Sequence, residues 1–466
     1  MSEYLYGASV QGIQEFIFKT NKLKEIIGAS KIVKNFEKII EEFDGLKDKP
    51  TLILNAAGNI RLKIKNKEDL EKIVKYLPQK IMLDAYGITV SQAVVKIEND
   101  YKKSSSKLEK RLKIQRNKAS IPLDLNLSIL KLNPKTALPL VNKEFDQASF
   151  LKDEAFEKYK KSKEAKQENN IYDIEKLANK DNKVAIIHID GNGLGNIVKE
   201  LNEKEMVEFS EKLDNATKEA YNVAKECVVK NEKDVLKIRK VILDGDDLAV
   251  ICDASSALDF TIKFLEEFEN KTKKIYKDYD LTACAGITFC NSKYPFHYAI
   301  KLAEDLCSYA KKDSKAVNSK LPPSSLMFHN IQSSNVDSFS KFIEDELNIG
   351  DIRMDFGAYY LQGIENKPNI KILQEIVKEL KKENSPKGKL RDWLSTLSFD
   401  KKLAESELKR VVKMAEDKKW RSENLSKLYS GLSLEKLIVQ KDGVDKSPIY
   451  DILQIEKILK GNKDDI

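Results

Sequence analysis

One turn constrains this chain more than any other segment. Val241-Ile242-Leu243-Asp244-Gly245-Asp246-Asp247-Leu248-Ala249-Val250 sets two apolar arms around an Asp-Gly step, a strong local signal for a β-hairpin. A turn built only for folding has no need of Asp246 beside Asp247. Adjacent carboxylates repel at neutral pH, and a hard divalent cation is the usual remedy. Upstream, Val184-Ala185-Ile186-Ile187-His188-Ile189 reads as a buried strand that ends in Asp190 and the turn Gly191-Asn192-Gly193-Leu194-Gly195. If the first strand lies beside the hairpin, all three aspartates converge at one sheet edge. That donor set suits two-metal chemistry, in which Mg²⁺ or Mn²⁺ lowers the pKa of an attacking hydroxyl and neutralises a triphosphate.

The hairpin belongs to a unit that occurs twice. Residues 1–100 show strand, helix, two strands, helix and strand, with Thr51–Leu54 and Ile60–Ile64 paired across Asn55–Asn59. Residues 183–332 repeat that order, with a strand at Val184–Ile189, a long helix from Glu203 to Asn231, the hairpin arms Leu236–Leu243 and Leu248–Cys252, a helix at Ser256–Tyr276 and a strand at Leu281–Phe289. The pattern is the split βαβ, ferredoxin-like arrangement, and its duplication is itself a fold-level signal. A Lys-rich connector, 101–182, joins the two units and carries Pro122, Pro134 and Pro139. Beyond 333 the periodicity is helical, clearest at Gln374–Lys382, Lys401–Asp417 and Leu425–Leu437. The expected fold class is α+β: two ferredoxin-like domains, 1–100 and 183–332, and an all-helical domain, 333–466.

Composition narrows the function classes. At 466 residues, 41% hydrophobic and 33% charged, the chain is globular and long enough for several cores. No apolar run approaches the ~18 residues of a spanning helix, and the N-terminus carries no secretory pattern, so a cytoplasmic protein without a membrane partner is expected. The five cysteines form no CxxC pair and read as reduced core residues. The net charge of +8 suits nucleotides or nucleic acid as partners, though weakly in a Lys-rich chain.

Several other residues are candidates for substrate contact. Gly191, Asn192, Gly193, Leu194 and Gly195 would cradle a phosphate, since glycines let backbone amides approach closely; a flexible turn is the plain alternative. Gly245 shapes the hairpin tip. Lys311, at the end of the helix Phe296–Lys312, suits a helix C-terminus by default and can reach phosphate in this topology. No His-Asp dipeptide and no HxxxH or HExxH pattern exists, so a His-Asp nuclease is not encoded here. Trp393 and Trp420 read as core residues.

The Asp190 and Asp244–Asp247 signatures resemble the GGDD-type palm, related to the GGDEF palm of diguanylate cyclases. Ser9-Val10-Gln11-Gly12-Ile13-Gln14-Glu15-Phe16-Ile17 and Leu23-Lys24-Glu25-Ile26-Ile27-Gly28-Ala29-Ser30 resemble the first palm of the large subunit of type III CRISPR effector complexes. That family pairs a degenerate first palm with a catalytic second palm and a helical C-terminal domain. In the first palm, Ala56-Ala57-Gly58-Asn59 stands where Asp244–Asp247 stands in the second. The resemblance implies a nucleotidyltransferase of antiviral defence that converts ATP into cyclic oligoadenylate. It implies that Asp190 and Asp246 hold the metals with Asp247 assisting, that Gly191 belongs to the ligand set, and that Gln11 and Ser30 contact the acceptor nucleotide. Guide RNA, target RNA and other complex subunits are the partners it implies. The chain departs from the pattern at Asp244, where the first Gly of GGDD is usual. It also lacks the nuclease domain at the N-terminus and any cysteine in Leu132–Pro139, where a zinc site often lies. This is expected of a compact form.

Two classes of function compete. An oligonucleotide cyclase predicts ATP turnover that dies with Asp246 and Asp247, and a dinucleotide cyclase differs from it only in product size. A non-catalytic scaffold predicts nucleotide or RNA binding without turnover.

Overall fold

The computed structural model describes residues 3–56, 58–98, 100–118, 129–134, 138–143, 145–162, 165, 171–273, 275, 280–332 and 338–459. Pro122 and part of the Leu132–Pro139 stretch lie outside them.

The first palm begins with β1 (Tyr4–Gln11), α1 (Ile13–Phe18) and α2 (Leu23–Lys34). It continues through the hairpin β2 (Thr51–Ala56) and β3 (Asn59–Ile64), then α3 (Lys67–Asp84) and β4 (Thr89–Lys96). The strands form one antiparallel sheet in the order β2-β3-β1-β4. The helical stretch expected from Ile13 to Ile40 is broken after Phe18, and its second part starts at Leu23 without a side-chain cap. Gly28, on α2, has a packing reason. A Cβ there would lie 1.9 Å from the Lys152 carbonyl oxygen, so only glycine lets the connector helix α5 (Gln147–Lys160) lie this close. The other connector helix, α4 (Tyr101–Arg116), packs on β1 and β4 through Leu108 and Leu112.

The second palm repeats the plan. β5 (Lys183–Gly191) leads into the short α6 (Leu194–Glu200) and then α7 (Glu203–Ala224), which opens with a capping box between Asn202 and Glu205. The hairpin β6 (Ile238–Asp244) and β7 (Asp247–Asp253) follows, then α8 (Ala257–Thr272), β8 (Ala283–Asn291), α9 (Phe296–Val317) and β9 (Ser325–Asn330). Four strands reproduce the first sheet as β6-β7-β5-β8. The sheet then grows by β9, parallel to β8, and by β12 (Tyr359–Tyr360), antiparallel to β9. Val184 to Ile189 are all buried because helices cover the central strand on both faces, which is why their sequence runs apolar instead of alternating. Gly286 lets α9 press on β8: a Cβ would meet the Ala303 carbonyl oxygen at 1.9 Å. His329 is a buried residue of β9.

The C-terminal part is mainly helical, with α10 (Phe339–Glu346), α11 (Ile370–Lys381), α12 (Lys387–Leu397), α13 (Lys401–Asp417), α14 (Leu425–Leu428) and α15 (Ile449–Leu459). It is not all-helical. A small sheet runs in the order β10-β11-β14-β13, with β10 (Asn348–Ile349), β11 (Ile352–Arg353), β13 (Val439–Lys441) and β14 (Val444–Lys446). Strands of two or three residues are too short to show a period-2 pattern. The Lys441-Asp442-Gly443 step is the β13–β14 hairpin turn, with φ of 54° at Asp442 and 78° at Gly443, the left-handed pair of a type I′ turn. The helix expected to run to Leu437 stops at Leu428, short of Gly431 at φ 82°. Trp393 and Trp420 are buried, as are four of the five cysteines. Among the described residues no helix is long and apolar enough to cross a membrane.

The palms meet directly. Ser30 Oγ on α2 donates to the Val241 carbonyl of β6. Asn21 Oδ1 accepts the Phe296 N–H at the start of α9 at 2.7 Å, and Lys63 pairs with Glu203 at 3.1 Å. Between them lies a cavity of about 910 Å³.

Candidate active site at the palm–palm cavity

Sheet register brings the acidic residues together. The last β5–β7 pair is Ile189↔Leu248, so the next step sets Asp190 beside Asp247, and β6 ends in the pair Asp244↔Asp247. The hairpin turn is held from behind. Gly245, at φ 59°, accepts a hydrogen bond on its carbonyl from Thr217 Oγ1 of α7 at 2.6 Å. Gly191 supplies close approach: a Cβ there would lie 2.8 Å from both Cβ and Oδ2 of Asp246 and 2.7 Å from Leu194. A side chain at 191 and the Asp246 carboxylate exclude each other.

The carboxylates are short of positive charge. Burial, then the negative charge of Asp190, pushes Asp246 up to about 7, and Asp190 also hydrogen-bonds its carboxyl. Asp247 is raised well above the usual carboxylate range, first by burial and then by Asp190, Asp246, Asp244 and Glu304. Its Oδ1 has no hydrogen-bond partner. Among the described residues the basic group that approaches that oxygen is His188 Nδ1, at 3.5 Å and also without a hydrogen-bond partner. Burial, with help from Lys311, holds His188 down at about 4, so it is neutral at pH 7 and offers no charge. Lys311 Nζ donates to Asp190 Oδ2 at 2.5 Å. Burial pulls its ammonium down, but Asp190 prevails and the net shift is upward.

The donor set fits a hard divalent cation. Among the described residues, no three ligand-type side chains close into a complete cage. Asp190 and Asp246 instead offer oxygen donors from one side, with the unsatisfied Asp247 Oδ1 behind them. Mg²⁺ is commonly held in this way, by one or two carboxylates, with water and substrate phosphate as its remaining ligands.

The other expected contacts divide. Ser30 lines the cavity, but its hydroxyl is engaged with Val241. Gln11 does not line the cavity; its Oε1 accepts from Ser91 Oγ at 3.4 Å. Asn192 is buried, and its Nδ2 is committed to Thr282 Oγ1 at 3.0 Å, Cys284 Sγ at 3.4 Å and the Pro322 carbonyl at 3.4 Å. Its amide nitrogen latches the turn to β8, while its buried Oδ1 has no hydrogen-bond partner among the described residues. Gly193 adopts φ 74° and opens α6, where Leu194 is the first residue, and a Cβ at Gly195 would meet open space.

The structure adds residues that the motifs do not contain. Glu304 lines the cavity from α9, seven positions before Lys311 and so on the same helix face; that spacing is the signal that could have found it. Thr217 and His188 are supports that no local motif marks.

Comparison with known proteins agrees with this architecture. Residues 183–319 match the family described as Cas10/Cmr2, second palm domain. A chain of the Csm1–Csm4 cassette in complex with pppApApA superposes with a TM-score of 0.60 at 12% identity, over 99% of this chain and 69% of that one. The cassette in complex with cA4 gives 0.56 at 12%, over 99% and 70%. The Csm1–Csm4 subcomplex of the type III-A CRISPR-Csm interference complex gives 0.55 at 13%, over 99% and 70%. No curated protein matches in sequence. In class, the fold is two palms with a mainly helical C-terminal part. More particularly, the second palm matches the Cas10/Cmr2 second palm domain over residues 183–319, and the fold of the whole chain is similar to that of a Csm1–Csm4 cassette chain.

Proposed function

We propose that this chain is a metal-dependent nucleotidyltransferase that joins ATP into cyclic oligoadenylate within a cytoplasmic type III CRISPR defence system. The observation that carries the reading is the cluster of under-neutralised carboxylates, Asp190, Asp246 and Asp247, of which Asp247, with Asp244, lines a cavity large enough for nucleotides. In the reaction, a 3′-hydroxyl attacks the α-phosphate of the next nucleotide and pyrophosphate leaves. When bound, Mg²⁺ or Mn²⁺ supplies hydroxyl activation and charge neutralisation. Asp190 and Asp246 hold the cation, Asp247 adds negative charge behind them, and Gly191 keeps the approach open. Lys311 balances Asp190 and is placed to pass its ammonium to a phosphate. The turn 193–195 is the candidate cradle for the triphosphate.

This reading is supported by the family match of residues 183–319 and by the fold of proteins crystallised with ATP and with AMPPNP. The similarity to a Csm1–Csm4 cassette supports a Csm4-like partner and guide RNA as further associates. The domain division at 100, 182 and 332 is part of the same proposal.

The test is mass spectrometry of products after incubation with ATP and Mg²⁺ or Mn²⁺, with partner subunits and target RNA added in a second arm. The expected result is a cyclic adenylate that falls at least about 10³-fold in Asp246→Ala/Asp247→Ala, while circular dichroism shows the fold retained. Equal synthesis by the variant would overturn the assignment. Nucleotide binding without product in either arm would favour the scaffold.

A further inference from the structure

Glu304 has no part in the cation chemistry, yet it sits in the same cavity. It projects from α9 into the space between the palms and has no cationic partner among the described residues. Its hydrogen-bond partner is the Gln14 side-chain amide of α1 in the first palm, which donates to both carboxylate oxygens, with N···Oε2 3.1 Å, in the amide orientation that satisfies both groups, and the charges of Asp305 and Lys301 on its own helix act on it in opposite directions. Burial lifts its carboxyl to about 7. A half-buried carboxylate hydrogen-bonded across the palms by a neutral amide is costly if its sole purpose is to hold two domains together, since an amide pair or an apolar pair would do so at lower desolvation cost. The cost is understandable if a ligand supplies the missing donor.

The position restricts which donor. Glu304 and Asp247 line the same cavity, and the glutamate's charge raises the Asp247 carboxyl further, so the two carboxylates act in one region of it. A carboxylate there repels phosphate, which leaves the sugar hydroxyls as the matching part of a nucleotide. A carboxylate accepting a ribose hydroxyl is an established mode of nucleotide recognition.

We propose that Glu304 is a specificity-determining residue whose carboxylate accepts the 2′-hydroxyl of the nucleotide seated between the palms, so that the cavity takes ribonucleotides and rejects 2′-deoxyribonucleotides. The inference rests on the nucleotide reading above. A site built to accept a hydroxyl discriminates strongly against its absence because the acceptor is left unpaired.

Calorimetric titration of the full-length protein with ATP and with 2′-dATP tests it, with Ca²⁺ as the cation to suppress turnover. In the wild type, ATP is expected to bind on the order of 10²-fold more tightly than 2′-dATP. In Glu304→Ala the ratio falls to within about twofold because ATP loses affinity. Glu304→Gln gives an intermediate ratio, and it melts no lower than wild type because it removes an unpaired carboxylate. Gln14→Ala keeps the discrimination, since the carboxylate remains. Equal binding of the two nucleotides to wild type, or an unchanged ratio in Glu304→Ala, would overturn the proposal while leaving the nucleotide site intact. Loss of discrimination in Gln14→Ala as complete as in Glu304→Ala would reduce the pair to an inter-palm strut. Absence of binding by either nucleotide would sink the underlying reading together with it.

Discussion

The two palms can be compared residue by residue, and the comparison shows how little separates an acidic site from a silent one. In the second palm, Asp190 lies beside Asp247, Asn192 follows, Gly193 turns left-handed at φ 74°, and α6 starts at Leu194. In the first palm, Ser9 pairs with Asn59, Gln11 follows, Gly12 turns left-handed at φ 76°, and α1 starts at Ile13. Strand, turn and helix start coincide, and only the chemistry changes: Ser9 stands for Asp190 and Asn59 for Asp247. A size exchange accompanies it. Gly191 packs against Asp246 in the second palm, where the first has Val10 against Gly58, whose ideal Cβ would lie 3.4 Å from the Val10 Cβ. The bulk is on the strand in one palm and at the hairpin tip in the other. The space that holds a carboxylate in the second palm is filled by a valine in the first.

The strongest way to break this comparison is to move the valine. Gly191→Val places branched carbons where Asp246 Cβ and Oδ2 already lie, 2.8 Å from even the first added carbon. The carboxylate must leave its position next to Asp190. Product formation should fall about as far as in Asp246→Ala/Asp247→Ala, on the order of 10³-fold, measured by mass spectrometry of the ATP products. Activity within tenfold of wild type would show that the Gly191–Asp246 contact does not set the geometry.

Much of this was legible in the sequence, for identifiable reasons. The duplicated unit was readable because strands of six to nine residues and long helices carry strong periodicity. The three aspartates were readable because their residue types are costly to place together without a purpose. The small C-terminal sheet was not, since two-residue strands leave no pattern. The partners of Asn192 Nδ2, Thr282, Cys284 and Pro322, were not legible because they come from segments far along the chain. The contact of Gln11 with Ser91 of β4 likewise depends on strand pairing that no motif records. Glu304 was missed because its one local signal, the seven-residue spacing to Lys311, shows a shared helix face but not that the face lines a cavity. The equivalence of Ser9 with Asp190 needs the strand register, which no motif supplies.

A smaller effect separates the palms by pH. Asp246 rises from the ordinary carboxylate value of 3.8 to about 7 in the folded chain, chiefly by burial and then by Asp190. The fold therefore favours the protonated carboxyl, and the associated stability is present below pH 3.8 and is lost as pH rises through about 7. A divalent cation binds the ionised form and opposes that loss. Mg²⁺ should therefore raise the melting temperature by several degrees at pH 8 and by little at pH 5. Differential scanning fluorimetry at both values checks this, with Asp246→Ala/Asp247→Ala as the control. An equal gain at both pH values, or a gain that survives in the double variant, would place the cation elsewhere.

The smallest expected effect comes from the reverse experiment. Asn59→Asp restores one carboxylate to the first palm at the place that Asp247 occupies in the second, as the pairs Ala56↔Asn59 and Asp244↔Asp247 show. If a hairpin-tip carboxylate were sufficient, this change would create a second cation site. The packing argues that it is not. Ser9 offers a neutral hydroxyl opposite, and Val10 fills the space where a carboxylate at Gly58 would have to sit. The Gly58 backbone, at φ 72°, also resists any side chain, since a Cβ would meet Ile13 Cδ1 at 2.3 Å. Asn59→Asp should therefore leave product yield within about twofold, in the range of substitutions that touch no special feature, and should add nothing to the Mg²⁺-dependent rise in melting temperature. A second increment of Mg²⁺ stabilisation in that variant would mean that the first palm retains a latent cation site, and that the Val10–Gly58 exchange is not what silences it.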